Sequence, residues 1–186
     1  MKQRQGYILL EVIISVFIMS IIIACLYNII NVANKANSNI EDRIELSQQI
    51  EEMDSHIRNL VQGCMNIINI TTVDRNVISD LEYDKVYTVS SIKLNFKNDD
   101  NKNEITLKNR EISLKKSSKK LFINTLRANN SSESGGYEIG DYVKSIRIKK
   151  ENPKIISIIL NLEKNNIEVE KEIKLYIRYD ALEESV

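Results

Sequence analysis

The sequence predicts an α+β fold: a long N-terminal helix, membrane-spanning in its first half, packed on an antiparallel β-sheet. Three observations carry this. Residues 7–28 form an almost uncharged apolar run, residues 46–60 repeat apolar side chains at steps of three and four, and residues 167–179 alternate apolar with polar side chains. A helix followed by a run of strands reads as a helix stripe laid across a sheet.

The 186 residues suffice for one domain with a modest core. Its 26 Lys and Arg balance 26 Asp and Glu, and without a cation-dense face direct binding of nucleic acid is not expected, because phosphate neutralisation needs clustered positive charge. Five Gly, one Pro, two Cys and one His leave little material for phosphate loops, disulfide frameworks, zinc sites or histidine catalysis. No cofactor, no metal and no enzymatic activity are expected.

Between Arg4 and Lys35 the only formal charge is Glu11. The 22 residues from Tyr7 to Asn28 reach roughly 33 Å as a helix, comparable to the hydrocarbon thickness of a bilayer. Lys2 and Arg4 precede the run, so the positive-inside rule puts the N-terminus in the cytoplasm and the rest of the chain outside. A secretory signal would be cut at a small-x-small site after the run; none follows Cys25, and the run is long for a removable signal. The sequence therefore reads as a membrane helix at residues 7–30 and an external domain at 31–186, behind a short basic start, in a single-pass protein of the cytoplasmic membrane.

Glu11 lies about a turn inside the apolar run, where an ionised carboxylate costs up to about 2.5–3.5 kcal/mol at the bilayer centre and less near its surface. No Lys, Arg or His follows within 23 residues, so the partner is another chain, a terminus or a proton. Snorkelling to the headgroups is the plain alternative.

The context is Gly6-Tyr7-Ile8-Leu9-Leu10-Glu11 behind the short polar leader Met1 to Gln5. It resembles the class III signal of type IV prepilins and minor pseudopilins, with glycine before the cut, an aromatic first mature residue, three apolar residues and glutamate. The resemblance implies cleavage between Gly6 and Tyr7 by a prepilin peptidase, which makes residues 1–6 a cleaved leader, and N-methylation of the Tyr7 amine. It also implies a pairing of Glu11 with the Tyr7 amine of a neighbouring subunit, which sets register in the filament. The match covers about residues 1–30. Tyr7 stands where phenylalanine is usual, Ile8 where threonine is frequent, and Asn28 where major pilins often carry a kinking proline, which favours a minor component. The implied fold is pilin-like, and its layout is similar to J-type pseudopilins and PilW- or ComGF-like minor subunits.

Beyond the membrane, Leu46, Ile50, Met53, Ile57 and Leu60 form one stripe, with Glu41, Asp42, Glu51, Glu52 and Arg58 elsewhere, which predicts a helix continuing to about Val61 and ending near Gly63. A short coiled coil is the alternative. From about Ile67 the period becomes two. Ile156, Ile158, Leu160 and Leu162 form a hairpin, through Glu163-Lys164-Asn165-Asn166, with the strand of Ile167, Val169, Ile173, Leu175, Ile177 and Tyr179. Further strands hold Ile92, Leu94 and Phe96, then Ile105 and Leu107, then Ile112 and Leu114. Another holds Ile146 and Ile148 and ends before Glu151-Asn152-Pro153. Residues 127–140 read as a loop that is mobile, contacts a partner or simply connects.

His56 sits on the polar flank of the helix beside Asp54, Ser55 and Arg58, and nothing marks a serine and an acid to complete a triad. Asp99 to Glu104 begins like a calcium loop but has Glu104 where glycine is needed and Arg110 where glutamate is needed, so it reads as a hairpin turn. Cys25 and Cys64 are separated by 39 residues, roughly 58 Å of helix, and cannot pair within one chain; each is a buried or unpaired thiol, with a cross-link between subunits open to Cys64. Lys115-Lys116-Ser117-Ser118-Lys119-Lys120 reads as a solvated basic turn, with contact to an anionic surface polymer as the alternative.

The functional expectation is a minor pilin or pseudopilin, a structural subunit of a type IV pilus, type II secretion or DNA-uptake (competence) filament, acting in assembly initiation or at the tip. Its partners would be other pilin subunits, the prepilin peptidase and the membrane, and its destination a cell-surface filament. The alternative is a single-pass, membrane-anchored external binding or sensor protein with an uncleaved leader. A tethered hydrolase lacks a recognisable nucleophile and base.

Overall fold

The computed structural model describes residues 2–96, 108–127 and 129–177, with side chains from Tyr7 onward. Ile105, Leu107, the stretch from Asp99 to Glu104, Arg178 and Tyr179 lie outside the described residues. One helix, α1, spans Lys2–Gly63. It is followed by β1 (Asn66–Thr72), β2 (Val77–Ile78), β3 (Val86–Asn95), β4 (Arg110–Lys115), β5 (Lys120–Thr125), β6 (Tyr137–Gly140), β7 (Val143–Asn152), β8 (Ile155–Lys164) and β9 (Ile167–Tyr176). The chain divides into two units, Met1–Asp42 and Arg43–Val186.

The first unit is helical, and its apolar side chains from Tyr7 to Ile30 are exposed around the whole helix. Such a segment has no single core-facing stripe, which in water marks a surface awaiting cover. Among the described residues, α1 is long and apolar enough to cross a membrane.

The second unit is an α+β arrangement in which the remaining turns of α1 pack on a curled antiparallel sheet. Its stripe is the predicted one: Leu46, Ile50, Met53, Ile57 and Leu60 are all buried. Asp42, which the pattern placed among the polar positions, is buried as well, at 6 % exposure.

The sheet runs β6-β5-β4-β3-β7-β8-β9, with β1 paired to β3 and β2 to β1. Strand β3 is where it divides. Along one edge Val89 to Asn95 pair with β1, while along the other Ser91 to Leu94 pair with β4 and Val86 to Val89 with β7. Two lobes therefore share one strand and one helix. In the first, the register aligns Ile78, Ile70, Ile92, Ile112 and Ile123 across five strands. In the second, Ile148, Ile158 and Ile173 align across three. These isoleucine rows form the floor of the core, where β-branched side chains pack well on a pleated surface.

The β8–β9 hairpin forms as expected, and its turn tightens to Asn165-Asn166, at φ 48° and 66°. Positive φ at both central residues is the two-residue hairpin geometry that matches strand twist and that asparagine tolerates. Three expectations are corrected. Strand β5 at Lys120–Thr125 was not foreseen, because its inward residues directly follow the lysine run. Strand β7 continues through Glu151 to Asn152, so that Pro153 and Lys154 make the turn. Residues 127–140 are not a free loop: β6 pairs with β5, and Ser132 bridges to Leu126.

What holds the segment before β6 is a set of polar contacts on the sheet face turned away from the helix. Ser132 Oγ donates to Glu111 Oε2 at 2.5 Å, Lys93 Nζ to the Asn130 carbonyl at 2.9 Å and Lys108 Nζ to Glu133 Oε1 at 2.9 Å. Glu111 is buried beneath it. The segment is thus a cover over its own sheet.

Candidate functional site

Tyr7 and Glu11 lie four residues apart on α1 and share a face of the helix, separated by about 6 Å of rise. Tyr7 is 80 % exposed, and Gly6 precedes it within the same helix. Three polar side chains of the apolar segment, Ser15, Ser20 and Asn28, are satisfied locally. Ser15 Oγ donates to the Glu11 carbonyl at 2.8 Å, Ser20 Oγ to the Val16 carbonyl at 2.8 Å and Asn28 Nδ2 to the Ala24 carbonyl at 2.9 Å. Such bonds to the preceding turn let small polar residues sit in an apolar helix. The Glu11 carboxylate has no such outlet, since a carboxylate cannot donate to a carbonyl when ionised. Among the described residues it makes no hydrogen bond or ion pair.

A second place with some chemistry is a cleft of about 520 Å³ between the last turns of α1 and β4–β6, lined in part by His56, Asn59, Phe96, Arg110 and Tyr137. The His56 and Tyr137 rings meet edge to face with centroids 5.8 Å apart, and the Arg110 guanidinium lies 5.9 Å from the centre of the Phe96 ring. Asp54, two residues from the histidine, is engaged elsewhere: Oδ1 lies 2.7 Å from Arg58 Nε and Oδ2 2.8 Å from Lys171 Nζ. His56 and Asp54 therefore face different neighbours and do not form a dyad. Among the described residues, no group of three His, Cys, Asp or Glu side chains is placed to hold a metal.

Cys64 is 2 % exposed, and burial pushes its thiol up to about 11. A thiol so placed does not present a nucleophile to another subunit, which removes the cross-linking role left open for it. Cys25 is exposed on the apolar segment.

Sequence reasoning singled out Gly6, Tyr7 and Glu11, and the structure puts all three on one helix. It missed the cleft and the ion-pair system of Asp54, Arg58, Glu51 and Lys171. The signal for the latter was present: Lys171 occupies an inward position in the alternation from Ile167 to Ile177, where a lysine needs an acid on the covering helix. Comparison with known proteins finds no family model, no curated protein and no solved structure that matches the chain.

Proposed function

We propose that the chain is a minor pilin or pseudopilin, a structural subunit of a type IV pilus, type II secretion or DNA-uptake filament, acting where assembly starts or at the tip. The observation that carries the reading is Glu11: a lone carboxylate one helical turn after the Gly6-Tyr7 pair, in an apolar segment where Ser15, Ser20 and Asn28 bond to the preceding turn and a carboxylate cannot.

Cleavage between Gly6 and Tyr7 creates a positive charge at the depth where one is missing. The Tyr7 amine of one subunit then answers Glu11 of the next, and mismatched registers leave a carboxylate unpaired in an apolar bundle. The uncovered apolar surface from Tyr7 to Ile30 supports the same reading, because helices in lipid are joined by side-chain packing and polar contacts rather than by hydrophobic burial. The strand-rich external unit supports a larger minor subunit.

The test is Glu11→Ala in the full chain. It fractionates with membranes like the parent but enters filaments roughly tenfold less or worse, the equivalent of the 1.5–3 kcal/mol typical of a charge-assisted hydrogen bond. Normal incorporation removes the register role.

A further inference from the structure

The cleft beside His56 lies wholly inside the second unit, and strand register explains its floor. Arg110 faces Leu94 of β3 and Thr125 of β5 and alternates along β4 with the buried Ile112, so it stands on the sheet face that α1 covers. Tyr137 faces Ile123 and so extends the isoleucine row to β6. On the helix, His56, Asn59 and Leu60 are spaced at three and four residues and together close the cleft from the other side.

Arg110 differs from Lys171 in what the helix offers it. Lys171 meets Asp54 and Glu51, whereas no Asp or Glu occurs among the described residues that line the cleft. The acids on this part of α1 are engaged or placed elsewhere: Asp54 is held by Arg58 and Lys171, and Glu52 lines a shallow surface with Arg43 and Gln48. Among the described residues the Arg110 side chain makes no hydrogen bond or ion pair; its contact is the Phe96 ring, with the guanidinium carbon 5.9 Å from the ring centre. A guanidinium that lies against a ring still presents the N–H groups of its edge to a ligand.

One unmatched guanidinium between apolar walls is complementary to one negative charge on an apolar body. Carboxylate oxygens match the planar fork with two parallel hydrogen bonds. The Phe96 and Tyr137 rings, with Leu60 and Ile123, cover the body, and the Asn59 amide and Thr125 hydroxyl supply a few polar groups to orient it. The volume of about 520 Å³ suits a small molecule. We infer that the cleft binds a small organic monocarboxylate with an aromatic body, held by Arg110. A dianionic phosphate fits less well, because a single guanidinium leaves its second charge unanswered. This site is independent of the membrane and filament readings of the N-terminal helix.

The test is calorimetric titration of the full chain in phosphatidylcholine nanodiscs, with empty nanodiscs as the blank. The probes are 2-naphthoate, the neutral 2-naphthamide and the dianionic 2-naphthyl phosphate. Saturable binding of 2-naphthoate is expected, with the amide weaker by roughly tenfold or more, as for loss of a charge-assisted hydrogen bond. The phosphate is expected to bind more weakly than the carboxylate. Arg110→Gln, shown by thermal unfolding to be folded, is expected to bring 2-naphthoate down to the level of the amide. Absence of saturable 2-naphthoate binding, equal affinity for acid and amide in the parent chain, tighter binding of the phosphate, or unchanged affinity in folded Arg110→Gln each overturns the proposal. The comparison of probes on the parent chain decides the matter even where the variant does not fold.

Discussion

Lys171 Nζ lies 2.8 Å from Asp54 Oδ2, and this contact joins the helix to the edge strand of the sheet by charge at the border of the apolar layer. Lys171 ends a cross-strand row that otherwise holds Val89, Ile146 and Leu160. Its ammonium also reaches Glu51 at 2.6 Å, and Asp54 is held from the other side by Arg58 at 2.7 Å. Burial works to lower the Lys171 pKa, but hydrogen bonds to Asp54 and Glu51 outweigh it, and the net shift is upward.

The pair is predicted to be coupled. The side chains are 24 % and 11 % exposed, so solvent screens them only in part. Asp54→Ala leaves Lys171 and Arg58 without their shared acid and is expected to cost about 2 kcal/mol; Lys171→Met is expected to cost less, because Met fills the apolar row. A double-mutant cycle by urea denaturation of the full chain in detergent checks this, and additive costs would contradict it. The raised lysine pKa means that the pair's contribution is complete below the unfolded-state value near 10.4 and is lost as pH rises through the higher folded-state value.

Cys64 gives a second alkaline transition, at lower pH. Burial pushes its folded thiol up to about 11 from an ordinary value of 9.0, so the unfolded chain releases its proton first as pH rises. Stability is therefore unaffected by this group below about pH 9 and falls between pH 9 and 11, by up to about 3 kcal/mol in the limit. Cys64→Ala is expected to flatten that part of the stability profile while lowering stability at pH 7 through the small cavity it leaves. An unchanged slope between pH 9 and 11 in the variant would show that the thiol is not responsible.

Gly140 is a contact of another kind. A Cβ built there would lie 2.4 Å from Met53 Sδ and 2.7 Å from its Cγ, so the helix rests directly on the backbone of β6. Gly140→Ala is expected to destabilise the unit by about 1–3 kcal/mol through overpacking. Met53→Ala destabilises by opening a cavity. Together they are expected to cost less than their sum, because the methyl group of one occupies space left by the other. Thermal unfolding of the two single variants and the double variant decides the point.

How far the sequence reveals this fold depends on where periodicity is undisturbed. The stripe from Leu46 to Leu60 and the β8–β9 hairpin are legible because each repeats one period over ten or more residues. Strand β6 is four residues long and follows Gly135-Gly136, so it merges with the loop before it. Lys171 misleads for the reverse reason: it is a charged residue at an inward position, and only Asp54 and Glu51, distant in sequence, make that tolerable. The Gly6, Tyr7 and Glu11 group is readable because it is local. The cleft beside His56 is not, since its walls come from α1, β4, β5 and β6, and no short window contains them.

The central claim is that the leader before Tyr7 is removed and that the new amine answers Glu11. Intact mass and N-terminal fragmentation of the full chain purified from its native membrane test it most directly, with Gly6→Leu as the paired control. The predicted result is a chain that begins at Tyr7 with a methylated amine, and a longer, unprocessed precursor for Gly6→Leu. A native chain that still carries Met1 to Gly6, or a Gly6→Leu variant that matures normally, would contradict it.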